Sequence, residues 1–453
     1  MLVILGILQL LLCIIILIYE YNNKSISVFF WAVLLLLFNI PHLLEIVVGI
    51  TKYSESVFFK ASIFVIGFEI IYILSRMVIN SKKYSSIVSE DEIRNMDLDT
   101  KKNRQTFNKI LKLNYLVFFI FTLYFLIRFD SIKNLSWGEI YQASINTNSL
   151  FDKILEFLKS LNHLLFFAVT GLLITTIYKK KKFSSCFIIF LILYYSFITR
   201  NRIALLPLLV SFILIIIIKN KKIKLKQMIY FSFLGMLCIY IVYAIWIFRH
   251  AGTLENFKST YTMSSFNKEV FNAILNNDGE LSLRKIFYYF IYIDNKFPGL
   301  QSGATYIRLL LMFIPSSLCF GIKPPDFAIT MSSAYTGNLY NTLYSVHPTF
   351  YGDLFANFNF FGILFGLFWA LFFKSLDKFL CKRNIITRCV LLVTWGSCFV
   401  ITARGSIYNS IFIGVVSTMI LYIVEKVKID TSTPIDVTTT YDARFSTKRR
   451  DKK

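Results

Sequence analysis

Residues 179–226 read KKKKFSSCFIIFLILYYSFITRNRIALLPLLVSFILIIIIKNKKIKLK, and the architecture of the chain can be read from them. Two apolar runs, 183–199 and 203–218, meet at the tight connection Thr199-Arg200-Asn201-Arg202 and are flanked on their far sides by lysine clusters. Crossing a hydrocarbon core of about 30 Å takes roughly 17–25 apolar residues. Lipid offers no partner to a free peptide group, so such runs must be helical. Lysine and arginine accumulate in cytoplasmic loops. Both lysine clusters are therefore expected in the cytoplasm, with the arginine hairpin displayed on the outer side.

On either side of this pair, the 453-residue chain, 56% hydrophobic with 47 Phe, resolves into candidate spans at 1–19, 27–50, 57–79, 114–130, 157–178, 183–199, 203–218, 227–248, 354–373, 385–402 and 407–425. The reading is an all-α polytopic membrane protein of about eleven transmembrane helices. It comprises an eight-helix N-terminal bundle over 1–248, a large extracytoplasmic loop over 249–353, three further spans over 354–425 and a basic disordered tail over 426–453. Basic residues crowd alternate connections: Lys82 to Arg104, Lys179 to Lys182, Lys219 to Lys226, Lys374 to Arg383, and the tail. Alternation then puts the N-terminus outside and the C-terminus in the cytoplasm. The net charge of +23 is thus a topology signal and an attraction to anionic lipid, not a nucleic-acid surface.

The first span lacks a basic leader and a small-residue cleavage site, so it reads as a retained helix. The seven cysteines show neither a disulfide framework nor metal spacing. Residues 80–113 read as a polar cytoplasmic connection. Within 131–156, Ile154 and Leu155, with Leu158 just beyond, indicate an amphipathic helix lying on the outer surface. The apolar segment 306–322 is short and interrupted by Pro315, so an interfacial or re-entrant element is expected there.

Ionisable groups at membrane depth are costly and therefore informative. Arg200, Arg202 and Arg404 occupy minimal outward connections, against the usual charge bias. Arg249 and His250 end the eighth span, and Arg128 and Asp130 end the fourth. His42 and Glu45 share one helical face in the outer third of the second span, as Asn162 and His163 do in the fifth; Glu69 sits near the middle of the third. Such one-sidedness fits an outward binding surface better than a continuous pore. Arginine stays charged and binds phosphate in a two-pronged fashion. An arginine cluster there suits a diphosphate whose lipid tail stays in the bilayer, and it stabilises that diphosphate as a leaving group. No P-loop, dinucleotide fingerprint or zinc motif is present, so no cofactor or metal is called for.

Two distal segments carry a family likeness. Phe313-Ile-Pro-Ser-Ser-Leu-Cys-Phe-Gly-Ile-Lys-Pro-Pro-Asp326 resembles the proline and Lys-Pro pattern in the outward loop of bacterial oligosaccharide repeat-unit polymerases, the O-antigen and capsule polymerases of the Wzy type. His347-Pro-Thr-Phe-Tyr-Gly-Asp-Leu-Phe-Ala-Asn-Phe-Asn-Phe-Phe-Gly-Ile-Leu-Phe-Gly366 is similar to the start of the helix after that loop, with Asp353, Asn357 or Asn359, Gly362 and Gly366 in the matching roles. The outward arginines also have family counterparts in position and type.

The resemblance implies a fold like the C-type glycosyltransferases. It implies transfer of a growing glycan from one undecaprenyl diphosphate to the non-reducing end of a repeat unit on another, at the outer face of the bacterial cytoplasmic membrane. A chain-length regulator protein is a candidate partner. In this frame Arg200, Arg202, Arg404 and Arg249 bind diphosphate. Asp353 or His347 orients or deprotonates the acceptor hydroxyl, and Tyr351, Lys323 and the tyrosine-rich stretch 335–351 line the sugar groove. Structural roles are open for the same residues: Asp353 suits a helix cap, His347 a turn before Pro348, and tyrosines a membrane interface. Rival functions are an O-antigen ligase, which uses the same donor, and a flippase or exporter of lipid-linked oligosaccharide.

Overall fold

A computed structural model describes residues 1–48, 53–79, 84–98, 100–132, 150–199, 201–219, 283–296, 302–314, 318–325 and 347–427, together with short pieces between 240 and 270 and at 330–331. Every regular element among them is helical. Among the described residues, ten helices are long and apolar enough to cross a membrane. The chain is thus a polytopic helical membrane protein by length and composition. The predicted eighth span, 227–248, lies mostly outside the described residues.

The helices are α1 (Leu2–Asn22), α2 (Val28–Leu34) running through a π-helical turn into α3 (Ile40–Val48), α4 (Glu55–Ile79), the short α5 (Glu90–Asn95), α6 (Lys101–Ile132), α7 (Leu150–Thr170) continued by α8 (Leu172–Tyr178), α9 (Lys182–Thr199) and α10 (Leu206–Lys219). Two shorter helices come later, α11 (Arg284–Tyr292) and α12 (Ala304–Leu310). Then come α13 (Thr349–Phe358), a 3-10 stretch Asn359–Leu364, α14 (Phe365–Cys381), α15 (Ile385–Ala403) and α16 (Ile407–Lys426).

Local sequence accounts for the irregularities. The π-helical turn Leu35–Asn39 precedes Pro41, which lacks an N–H and crowds the carbonyl one turn back. α5 opens on a capping box, with Ser89 accepting from Glu92 N and Glu92 accepting from Ser89 N. α6 has 32 residues, about 48 Å at 1.5 Å per residue, so it extends well beyond a roughly 30 Å core. Its first turns therefore take up part of the polar connection.

One expectation is corrected here. Ile154, Leu155 and Leu158 do not form a separate surface helix; they lie in the first turns of the α7–α8 candidate span, Phe151–Tyr178, ahead of its apolar part. Asp152 at its start pairs with Arg128 near the end of α6, which neutralises both charges at that level.

Contacts sort the helix ends into two groups. At one end, Arg76 of α4 bridges Glu20 of α1 (2.6 Å) and Asp377 of α14 (3.1 Å), all three buried. Nearby, Ile87 N donates to Lys24 O (3.0 Å), Asn384 to Asn103 (2.9 Å) and Lys179 to Arg94 O (3.0 Å). At the other end, Glu45 meets Arg284 (2.7 Å) and Thr349 N donates to Arg404 O (3.1 Å). Among the described residues, Lys179 to Lys182 and Lys374 to Arg383 share the first end.

Between the ends runs an aromatic core. Phe30 stacks on Trp369, and Trp31, Phe68, Tyr72, Phe350 and Phe373 pack around them. Close approach of α14 to α4 depends on Gly366, where a Cβ would lie 2.8 Å from Phe68 O. Small residues at such contacts let helix backbones approach in the absence of a hydrophobic drive between helices.

Candidate functional site

The turn between α9 and α10 is built by Asn201. Its side chain accepts from Ile203 N (3.0 Å), and its carbonyl accepts from the Ser196 hydroxyl (3.2 Å). This pins Arg202 as the first residue of the 3-10 turn Arg202–Leu205. The turn between α15 and α16 carries Arg404, followed by Gly405 at φ +104°. A Cβ on Gly405 would lie 2.8 Å from both Thr349 N and Thr349 O and 2.9 Å from Pro348 Cδ. The arginine hairpin therefore presses directly on the chain entering α13. Thr349 itself sits at φ +65°, a strained setting for a β-branched residue. Its N–H bonded to Arg404 O holds it there.

His347 lies beside this contact, partly buried, and its Nδ1 is sealed from solvent without a hydrogen-bond partner. Burial, and then the charges of Arg404 and Arg202, push its pKa down to about 3. The imidazole is neutral at any working pH, in a strongly positive setting. Three predicted residues, Arg202, Arg404 and His347, thus come together from three separate parts of the chain. Arg200 and Arg249 lie outside the described residues.

Asp353 departs from the helix-cap expectation. It lies inside α13, not at its cap, and is 1% exposed. One carboxylate oxygen accepts from the Thr305 hydroxyl (3.2 Å) and the other from Asn357 Nδ2 (3.1 Å). Asn357 in turn accepts from Thr305 N (3.1 Å), and its carbonyl accepts from Gly303 N (3.0 Å). Asp353 and Asn357 together fasten the start of α12 to α13. Of the two candidate asparagines, Asn357 belongs to this network, whereas Asn359 bonds Phe360 N beside it (2.8 Å).

Tyr351 is fully buried and donates to Glu69 (3.2 Å), which puts it in the core and not in a groove. Its position on the inward face of α13, packed on Phe38 and Phe68, is the reason. Lys323 donates to Ile314 O (2.7 Å) within its own segment. That segment holds no helix of membrane-crossing length among the described residues: α12 has seven residues, and Leu310, Phe313, Phe320 and Ile322 are exposed along it. Arg308 lies 4.5 Å above the Tyr408 ring and donates to Pro324 O (2.6 Å), tying the segment to α16.

Two ties escaped the sequence reading. Arg284 of α11 pairs with Glu45, and Tyr288 bonds His42 Nδ1 (2.6 Å) while Ser62 bonds its Nε2 (2.9 Å). They dock α11 on the second and third spans. A lone arginine opening an aromatic, helix-length run was the available signal. His163 bonds Tyr195 (3.2 Å), a helix-to-helix contact within the bundle.

No protein-family model, curated protein or solved structure matches this chain. Among the described residues no group of His, Cys, Asp and Glu is arranged to hold a metal ion.

Proposed function

We propose that this protein is a membrane glycosyltransferase that polymerises lipid-linked oligosaccharide repeat units at the outer face of the bacterial cytoplasmic membrane. The observation that carries the reading is the convergence of Arg202, Arg404 and His347 at one end of the bundle. Two guanidiniums fixed on tight turns grip the diphosphate of an undecaprenyl-linked donor and stabilise it as it leaves. His347, neutral and with Nδ1 unengaged, accepts the proton of the acceptor hydroxyl. An anion held on the arginines offsets the charge part of the depression and so raises the basicity of the imidazole, while burial, the larger cause, still holds it down. Asp353 acts by positioning, since it anchors α12 beside the site.

The test is incubation of the purified protein with a synthetic diphospholipid-linked repeat unit. A ladder of glycan products supports the proposal. Arg404→Ala and Arg202→Ala are expected to abolish the ladder at normal protein abundance, and ladders of wild-type length in both variants would refute it. Transfer only to a lipid A core acceptor indicates the ligase reaction instead.

A further inference from the structure

At the opposite end of the bundle, a cavity of about 410 Å³ opens between the turn after α1, the segment leading into α5, and the first turn of α15. Its volume lies within the range of roughly 300–1,000 Å³ usual for small-molecule sites. Lys24, Arg388, Tyr84, Ser85 and Ser89 line it, with Glu92 as its acidic member. The segment forming one wall is fixed by backbone bonds. Arg388 donates from Nε to Ser86 O (2.7 Å) and from Nη2 to Ser85 O, while Lys24 O accepts from Ile87 N (3.0 Å) and from the Ser86 hydroxyl (3.2 Å).

This bonding locks the guanidinium plane and leaves Nη1 over. Its nearest acidic atom, Glu92 Oε1, is 3.9 Å away, beyond hydrogen-bonding distance. The other Glu92 oxygen is occupied by Ser89 N (2.8 Å). Lys24 is exposed at the tip of a left-handed turn (φ +50°). Ser89 Oγ accepts from Glu92 N, so its hydrogen remains to be donated. The wall thus offers two cations from different elements and at least two hydroxyl donors, against one carboxylate already half used. Such an excess of donors matches an oxyanion with several acceptor oxygens.

We infer that this cavity binds a phosphate group, held by Lys24 and Arg388 with Tyr84 and Ser89 as neutral donors. The site lies at the helix ends beside the lysine-rich connections, and basic pockets between helices at such ends attract anionic lipid headgroups. A phosphodiester headgroup and free phosphate share this chemistry, and experiment separates them. The assignment is independent of the glycosyltransferase reading.

The test is native mass spectrometry of the full chain purified in detergent, with phosphatidylglycerol, phosphatidylethanolamine or inorganic phosphate added in turn. Phosphatidylglycerol retained over phosphatidylethanolamine, and weakened on the order of tenfold in Lys24→Gln, identifies a lipid headgroup site. Retention of inorganic phosphate alone, with the same sensitivity, identifies a soluble source. Tyr84→Phe provides a second variant that keeps every backbone contact, and it should weaken binding less than Lys24→Gln does. Equal retention of both lipids with no phosphate adduct, unchanged in Lys24→Gln, overturns the inference.

Discussion

Replacing Gly405 with Ala probes the one contact that brings the arginine hairpin to the chain carrying His347. A methyl group there faces two separable penalties. The first is conformational: φ +104° is a region for glycine, and forcing another residue into it costs about 1–3 kcal/mol. The second is steric. The new Cβ would sit 2.8 Å from two backbone atoms of Thr349, which cannot rotate away as a side chain would. Overpacking of this kind adds about 1–3 kcal/mol. Gly321 supplies an internal control, since it also has positive φ (+80°) but has nothing within 4 Å of where its methyl group would lie. Gly321→Ala should therefore incur only the conformational part, about 1–2 kcal/mol. Thermal unfolding of both variants in detergent measures the difference. Gly405→Ala should unfold at a clearly lower temperature than Gly321→Ala and lose the Thr349–Arg404 bond. Equal melting of the two variants and the wild type would show that the hairpin and the α13 entry are not in close contact.

Three further outcomes are expected. Arg76→Met leaves Glu20 and Asp377 buried together and should cost about 3–5 kcal/mol, read as lost thermal stability, whereas adding Glu20→Gln and Asp377→Asn should recover most of it. Because the pKa of His347 is lowered on folding, its contribution to stability is complete above about pH 6.5 and fades as the unfolded chain takes up a proton below that. Acidification from pH 7.5 to 5 should therefore destabilise the wild type more than His347→Gln, by about 1 kcal/mol after allowance for solvent screening. A double-mutant cycle on Glu45 and Arg284 should return a coupling of about 1–3 kcal/mol, measured by unfolding, because the pair is almost wholly enclosed.

The lipid-crossing helices were legible because burial in hydrocarbon imposes long apolar runs, and nine of the eleven predicted positions, from Leu2–Asn22 to Ile407–Lys426, match helices directly with bounds shifted by a few residues or a few turns. Thr349–Cys381 also covers the predicted 354–373 span, but as α13, a 3-10 stretch and α14. Its earlier start moved Asp353 from a cap to an interior turn, because composition does not reveal where a helix begins outside the apolar stretch. The arginine hairpins were readable as short charged connections between apolar runs. Their meeting with His347 was not, since it depends on Gly405 fitting against Thr349, a long-range contact with no periodic trace. Tyr351 misled for a similar reason: its neighbours in sequence are polar and aromatic, while its neighbours in space are Glu69 and two phenylalanines.

The Glu20–Arg76–Asp377 cluster also sets an order of assembly. Glu20 and Arg76 are 56 positions apart and are inserted almost together, but Asp377 follows Arg76 by 301 positions. At about 5–20 residues per second of translation, that is a delay of roughly 15–60 s. Through that interval the first and third spans are joined as a neutral pair, with Arg76 donors awaiting a helix not yet made. The late arrival of α14 closes the bundle like a bolt.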